Sequence, residues 1–178
     1  MLERTRRSRF SFILYAIRGA PLSVTLVVRM SVTFTENEDC TTASEAAIAA
    51  FEHERNLVLP DAYRKFLLGS RGGRPQRRWS SFGRDGDFVA HIYGMHQGAE
   101  WKRLSYAIKE FGHDLSTFLP VAISNGGNYF LLRLKKPNRG AVYFWDHELE
   151  GFEPPTFGSL IHVSDSFESW LDSLQEDP

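Results

Sequence analysis

The run VAISNGGNYFLLRLKKPNRGAVYFW, residues 121–145, decides the fold. It holds three apolar stretches, Val121 to Ile123, Tyr129 to Leu134 and Ala141 to Trp145, separated by Asn125-Gly126-Gly127 and by Pro137 to Gly140. Each stretch has strand length and is rich in β-branched or aromatic residues, and each separator holds the Asn, Gly and Pro that tight turns use. Parallel neighbours need a crossover of a dozen or more residues, so connections this short join only antiparallel strands. The run predicts a meander. Tyr143, Phe144 and Trp145 then point alternately to the two faces, which suits core and cross-strand packing better than a platform for stacking bases.

Outward from the meander the period changes. Phe88, Ala90 and Ile92 alternate with Val89, His91 and Tyr93, a further strand. Leu104, Ile108 and Phe111 share one face of a helix over about 101–111. Upstream, Thr42 and Glu45 have capping-box spacing before a short amphipathic helix over about 43–55. Pro60 suits a first helical position, and Leu59, Tyr63, Phe66 and Leu67 follow i, i+4, i+7, i+8 until Gly69 ends the pattern. Ser70 to Arg84, rich in Gly, Arg and Ser, reads as a loop. Beyond the meander, Leu160 to Val163 adds a short strand, and Asp165 with Glu168 opens a last helix whose Phe167, Trp170, Leu171 and Leu174 share a face. The fold class is α+β: an antiparallel sheet flanked by N-terminal helices, a middle helix and a C-terminal helix.

Length and composition agree with one domain. The chain has 178 residues, 42% hydrophobic and 24% charged, enough for a real core, and shows no internal repeat. The single Cys40 excludes an intramolecular disulfide, so a reducing, cytoplasmic setting is expected. Formal net charge is −1, but the first 29 residues hold six Arg against Glu3. From Met30 onward there are fifteen basic against twenty-one acidic residues, a net of −6. That balance argues against nucleic acid as a direct ligand and suits a basic partner. A minority basic patch stands at Arg71, Arg74, Arg77 and Arg78. Residues 1–29 have two apolar runs interrupted by Arg18, Gly19 and Pro21, which makes a poor membrane span and an unconvincing secretory signal. They are expected to be an extension outside the domain, with 30–178 as the single folded unit.

No P-loop, dinucleotide fingerprint, nucleophile elbow or zinc helix is present. Ser70-Arg71-Gly72-Gly73 lacks the Lys and hydroxyl that hold phosphate and magnesium, and reads as a solvated turn. His91 and His96 need not converge, and Cys40 is remote, so no metal is expected. Asp146, His147 and Glu148 are consecutive and, on an extended chain, point to alternate faces; they read as polar residues ending a strand, and catalysis is not expected.

Together these pieces resemble the SUKH superfamily, which includes yeast cell-wall-assembly regulators and many bacterial immunity proteins. The resemblance runs from about Ile48 to Leu174 and rests on Leu59-Pro60-Asp61-Ala62-Tyr63, Gly72-Gly73, Asn125-Gly126-Gly127-Asn128-Tyr129-Phe130, Val142-Tyr143-Phe144-Trp145-Asp146-His147-Glu148 and Phe167-Glu168-Ser169-Trp170-Leu171. Arg71 and Arg133 depart from the family pattern, so the resemblance speaks to fold rather than to a shared ligand site.

What the resemblance implies is a non-enzymatic binder without a cofactor. Bacterial relatives bind and neutralise a cognate toxin, often a nuclease; the alternative is a regulatory or scaffolding module of the same fold. An acidic body suits the first role, because a nuclease site that holds phosphates is basic. Asp85, Asp87, Glu148, Glu150 and Glu153, all near predicted loops or strand ends, are the candidate contacts with a toxin domain.

Overall fold

A computed structural model of the protein describes residues 32–34, 42–95, 99–149 and 158–176. Its centre is a six-stranded antiparallel meander in the order β1 (Trp79–Phe82), β2 (Asp85–Ile92), β3 (Phe118–Ser124), β4 (Tyr129–Arg133), β5 (Val142–Trp145) and β6 (Ile161–Ser164). Among the described residues four α-helices flank it: α1 (Glu45–Arg55), α2 (Asp61–Gly69), α3 (Leu104–Phe111) and α4 (Phe167–Ser173). The α+β class and the meander of 121–145 are therefore present as the turn spacing requires.

The period-2 pattern divides the core. In β4 and β5, Phe130, Leu132, Val142 and Phe144 face the larger cluster, where Tyr63 and Phe66 of α2 meet Phe167 and Trp170 of α4. Leu131 and Trp145 point the other way into a smaller cluster with Phe111 of α3 and Phe118, joined by partly buried Tyr129 and Tyr143. Trp170 is fully buried; its indole N–H donates to Ser80 Oγ at 3.0 Å, and its ring lies 5.0 Å from that of Phe130. Tyr63 is equally buried and donates its hydroxyl to the Tyr93 carbonyl at 3.0 Å, so its polar end is satisfied inside the core. Upstream of α1, Val32 is buried in the same cluster and Thr33 accepts from the Gln76 N–H.

Five local readings need correction. The predicted loop 70–84 contains β1: Ser80 and Phe82 point inward with the exposed Ser81 between them, and tertiary pairing with β2 outweighs the turn-like composition around them. Gly72 and Gly73 are not a solvated turn. Both are buried, Gly73 exchanges two 2.8 Å backbone hydrogen bonds with Ile92, and Gly72 has φ +76° with the Ile92 carbonyl where a Cβ would stand. The cap of α1 is Ser44, accepting from Ala47 N–H, rather than Thr42; Glu45 is thereby released to pair with Arg64. Ser166, not Asp165, caps α4 by accepting from Ser169 N–H. The middle helix is also shorter than predicted, because residues 100–102 form a 3-10 turn that leaves Trp101 exposed.

Candidate functional site

Register fixes which loops share an end of the sheet. Val89 pairs with Ser124 and Tyr129 pairs with Trp145, so the β3–β4 turn and the start of the β5–β6 connection lie at one end. Asp85 and Asp87 lie beyond Val89 toward that same end, in the strand that leaves the β1–β2 hairpin. The ring of Phe82, at the foot of that hairpin, stacks on Phe144 of β5 at 4.6 Å, which curls the hairpin across the sheet. Asp85, Asp87 and Glu148 thus lie toward the same end of the sheet. Glu150 and Glu153 lie outside the described residues.

The carboxylates there have different duties. Asp87, within β2, accepts the N–H of Phe88 at 2.6 Å, and Asp146 accepts the N–H of Glu148 at 2.9 Å, which braces the turn after β5. Asp85 and Glu148 are exposed, and among the described residues neither carboxylate has a partner. Exposed Arg84 in the hairpin offsets one of these charges.

Two side chains hold this end together. Ser124 Oγ accepts the N–H groups of Gly126 and Asn128, at 3.2 Å each, which closes the β3–β4 turn; Gly127 supplies its positive φ of 86°. Asn128 Oδ1 then accepts both the backbone N–H of His147 at 3.2 Å and the ring Nδ1–H at 2.8 Å. That bidentate clasp ties the β3–β4 turn to the segment bearing Glu148. Sequence reasoning missed its purpose. It also missed Leu149 and Ile161, 71% and 38% exposed, which give the acidic end an apolar element. A Leu between two Glu was the available signal for the first.

The remaining sequence-chosen residues are structural. Leu59, Tyr63, Phe167 and Trp170 are fully or almost fully buried; Pro60 stands at the start of α2 and is also buried. Tyr143 and Trp145 pack in the smaller cluster, where Tyr129 stacks on Trp145 at 6.1 Å. Asn125 donates its N–H to the Phe88 carbonyl, attaching the turn to β2. His91 is buried and its Nε2 lies 3.1 Å from the Lys102 carbonyl; His96 and Cys40 lie outside the described residues. Burial pushes the phenols of Tyr63 and Tyr93 well above the ordinary tyrosine range. Arg64, hydrogen-bonded first to Glu52 and then to Glu45, is held more firmly protonated still and fastens α2 to α1. Among the described residues no group of His, Cys, Asp and Glu is placed to hold a metal, and no helix is long and apolar enough to cross a membrane.

No curated protein matches the chain. A family model, that of the SMI1 / KNR4 family (SUKH-1), matches residues 42–173, about three quarters of the chain, from the α1 cap to the end of α4. The chain belongs to the SMI1 / KNR4 family (SUKH-1).

Proposed function

We propose that this protein is an immunity protein that binds and neutralises a basic toxin domain, such as a nuclease, through the acidic end of its sheet. Family membership is consistent with immunity or related binding roles. What supports the reading is that Asp85, Asp87 and Glu148, distant in sequence, lie toward the same end of the sheet by register. Asp85 and Glu148, exposed and without a partner among the described residues, form with Leu149 and Ile161 a surface that can steer a cationic partner and then bury apolar area against it. Inhibition needs no chemistry from this chain. A bound acidic surface occludes the basic groove in which the toxin would hold phosphates. Residues from 30 onward form the folded unit in this reading, and it acts in the compartment where the toxin is made.

The test is co-production with a toxin domain encoded beside it. A one-to-one complex on size exclusion, together with survival of cells that make both proteins, is the expected result. If the neighbouring toxin neither binds nor is neutralised, this reading fails and the regulatory or scaffolding role of the same family takes its place.

A further inference from the structure

The opposite end of the sheet has a different character. Phe118 pairs with Arg133 there, and the segment 112–117, the β4–β5 connection and the α1–α2 linker meet around a groove of about 740 Å³. Leu57, Val58, Leu115 and Leu134 supply its apolar surface, and Val58 is 67% exposed. Lys135 and Arg139 supply its cations, while Arg55, also in the lining, is paired with Glu54 at 3.6 Å.

The two carboxylates that line the groove are already engaged. Glu52 accepts the Leu59 N–H at 2.9 Å and pairs with Arg64. Asp114 accepts the Ser116 N–H at 2.9 Å, and its hydrogen bonds to Ser116 hold its carboxyl below the usual range. Arg139 is fixed in position, since its Nη2 donates to the carbonyls of Val58 and Leu59 at 3.1 and 3.0 Å. A guanidinium has five donor hydrogens, so it keeps donors for a ligand and loses little freedom in using them. Lys135 is exposed. In a body of net −6 this is a basic-rimmed apolar groove, and charge complementarity selects an anionic occupant.

We propose that this groove is a second interaction surface, which takes an acidic, leucine-bearing peptide segment of a partner protein. Carboxylates of the segment meet Lys135 and Arg139, and its apolar side chains cover Val58 and Leu115. The volume falls in the range of sites that enclose a few side chains. The surface is independent of the acidic end and does not rest on the immunity reading.

The experiment is fluorescence anisotropy of the full chain with a labelled Glu-rich peptide carrying two leucines, alongside a Lys-rich counterpart. Saturable binding of the acidic peptide alone is expected, weakening as salt rises. Lys135→Glu should weaken it roughly fivefold, as loss of a surface charge pair and gain of a like charge would. Val58→Ser should weaken it also, and both variants should keep the parent melting temperature because both side chains are exposed. Three results would each overturn the proposal. These are no saturable binding of the acidic peptide, equal binding of both peptides, or unchanged affinity in Lys135→Glu and Val58→Ser. Sedimentation showing that Val58 mediates a dimer would assign the groove to a second copy and overturn it too.

Discussion

The two ends of the sheet are built from the same strands and differ in what covers them. At one end two of the connections, β1–β2 and β3–β4, are tight turns, and side chains brace it: Ser124 closes the β3–β4 turn and Asn128 clasps His147. At the other the strands run into helices and longer connections, and the local charge is basic. Bracing of the first end depends on small polar residues whose geometry is fixed by turn requirements. Asp85 and Glu148, whose carboxylates have no partner among the described residues, contribute nothing to that bracing. Structure and charge are therefore separable at the acidic end, and mutations should sort accordingly.

The largest effect belongs to the core that both ends share. Trp170→Ala removes a fully buried indole and leaves Ser80, itself buried, without its donor. A loss of about 3–5 kcal/mol is expected, a large part of a typical domain's roughly 5–15 kcal/mol. Denaturant unfolding measures it. A loss below about 1 kcal/mol would mean that the α4 packing is not what holds the sheet.

Gly72→Ala comes next. The positive φ alone costs on the order of 1–3 kcal/mol for a residue with a Cβ, and that Cβ would overlap the Ile92 carbonyl, 2.4 Å away. A melting temperature equal to that of the parent would contradict the close approach of this segment to β2.

Alkaline pH should act on the same core. Tyr63 and Tyr93 stay protonated in the folded chain above the ordinary phenol pKa of about 10, whereas the unfolded chain releases those protons. The unfolded state then binds fewer protons, so stability falls as pH rises through about 10 and continues to fall until the folded phenols titrate. Phenolate absorbance should show Tyr63 and Tyr93 ionising only together with unfolding. Their titration in a folded protein would contradict the burial.

The smallest stability effect is expected at the acidic end. Asn128→Ala deletes the acceptor of two hydrogen bonds from His147, for a loss of about 0.5–1.5 kcal/mol, since the site is partly hydrated. Thermal melting checks the value. A loss as large as that of Trp170→Ala would erase the distinction between a core that folds the domain and an end that displays it.

How much was legible in the sequence follows the same division. Apolar period and turn residues located the meander, α1, α2 and α4, because burial on one face imposes a period that nothing else produces. β1 was hidden inside a Gly- and Arg-rich stretch, where Trp79 and Phe82 are too few to show alternation and pairing with β2 supplies the rest. The caps were misplaced by one or two residues because Thr42, Ser44, Asp165 and Ser166 all carry oxygens able to cap, and only backbone geometry selects between them. Glu148 was recognisable as an exposed acid near a strand end. Its meeting with Asp85 was not, since that depends on the register of four strands and the curl set by Phe82 on Phe144. The clasp between Asn128 and His147 spans 19 residues and left no periodic trace.

The most direct test of the acidic end as the toxin-binding surface is stopped-flow association with the neighbouring toxin domain. It compares the parent with a variant carrying Asp85→Lys and Glu148→Lys, across a range of ionic strength. Electrostatic steering raises association from a neutral base of about 10⁵–10⁶ toward 10⁸ M⁻¹s⁻¹ or more at low salt. The account predicts association at least tenfold slower at low salt in the variant, a flattened or reversed salt dependence, and a melting temperature close to the parent's. Unchanged association at low salt, in a variant that remains folded, would contradict it.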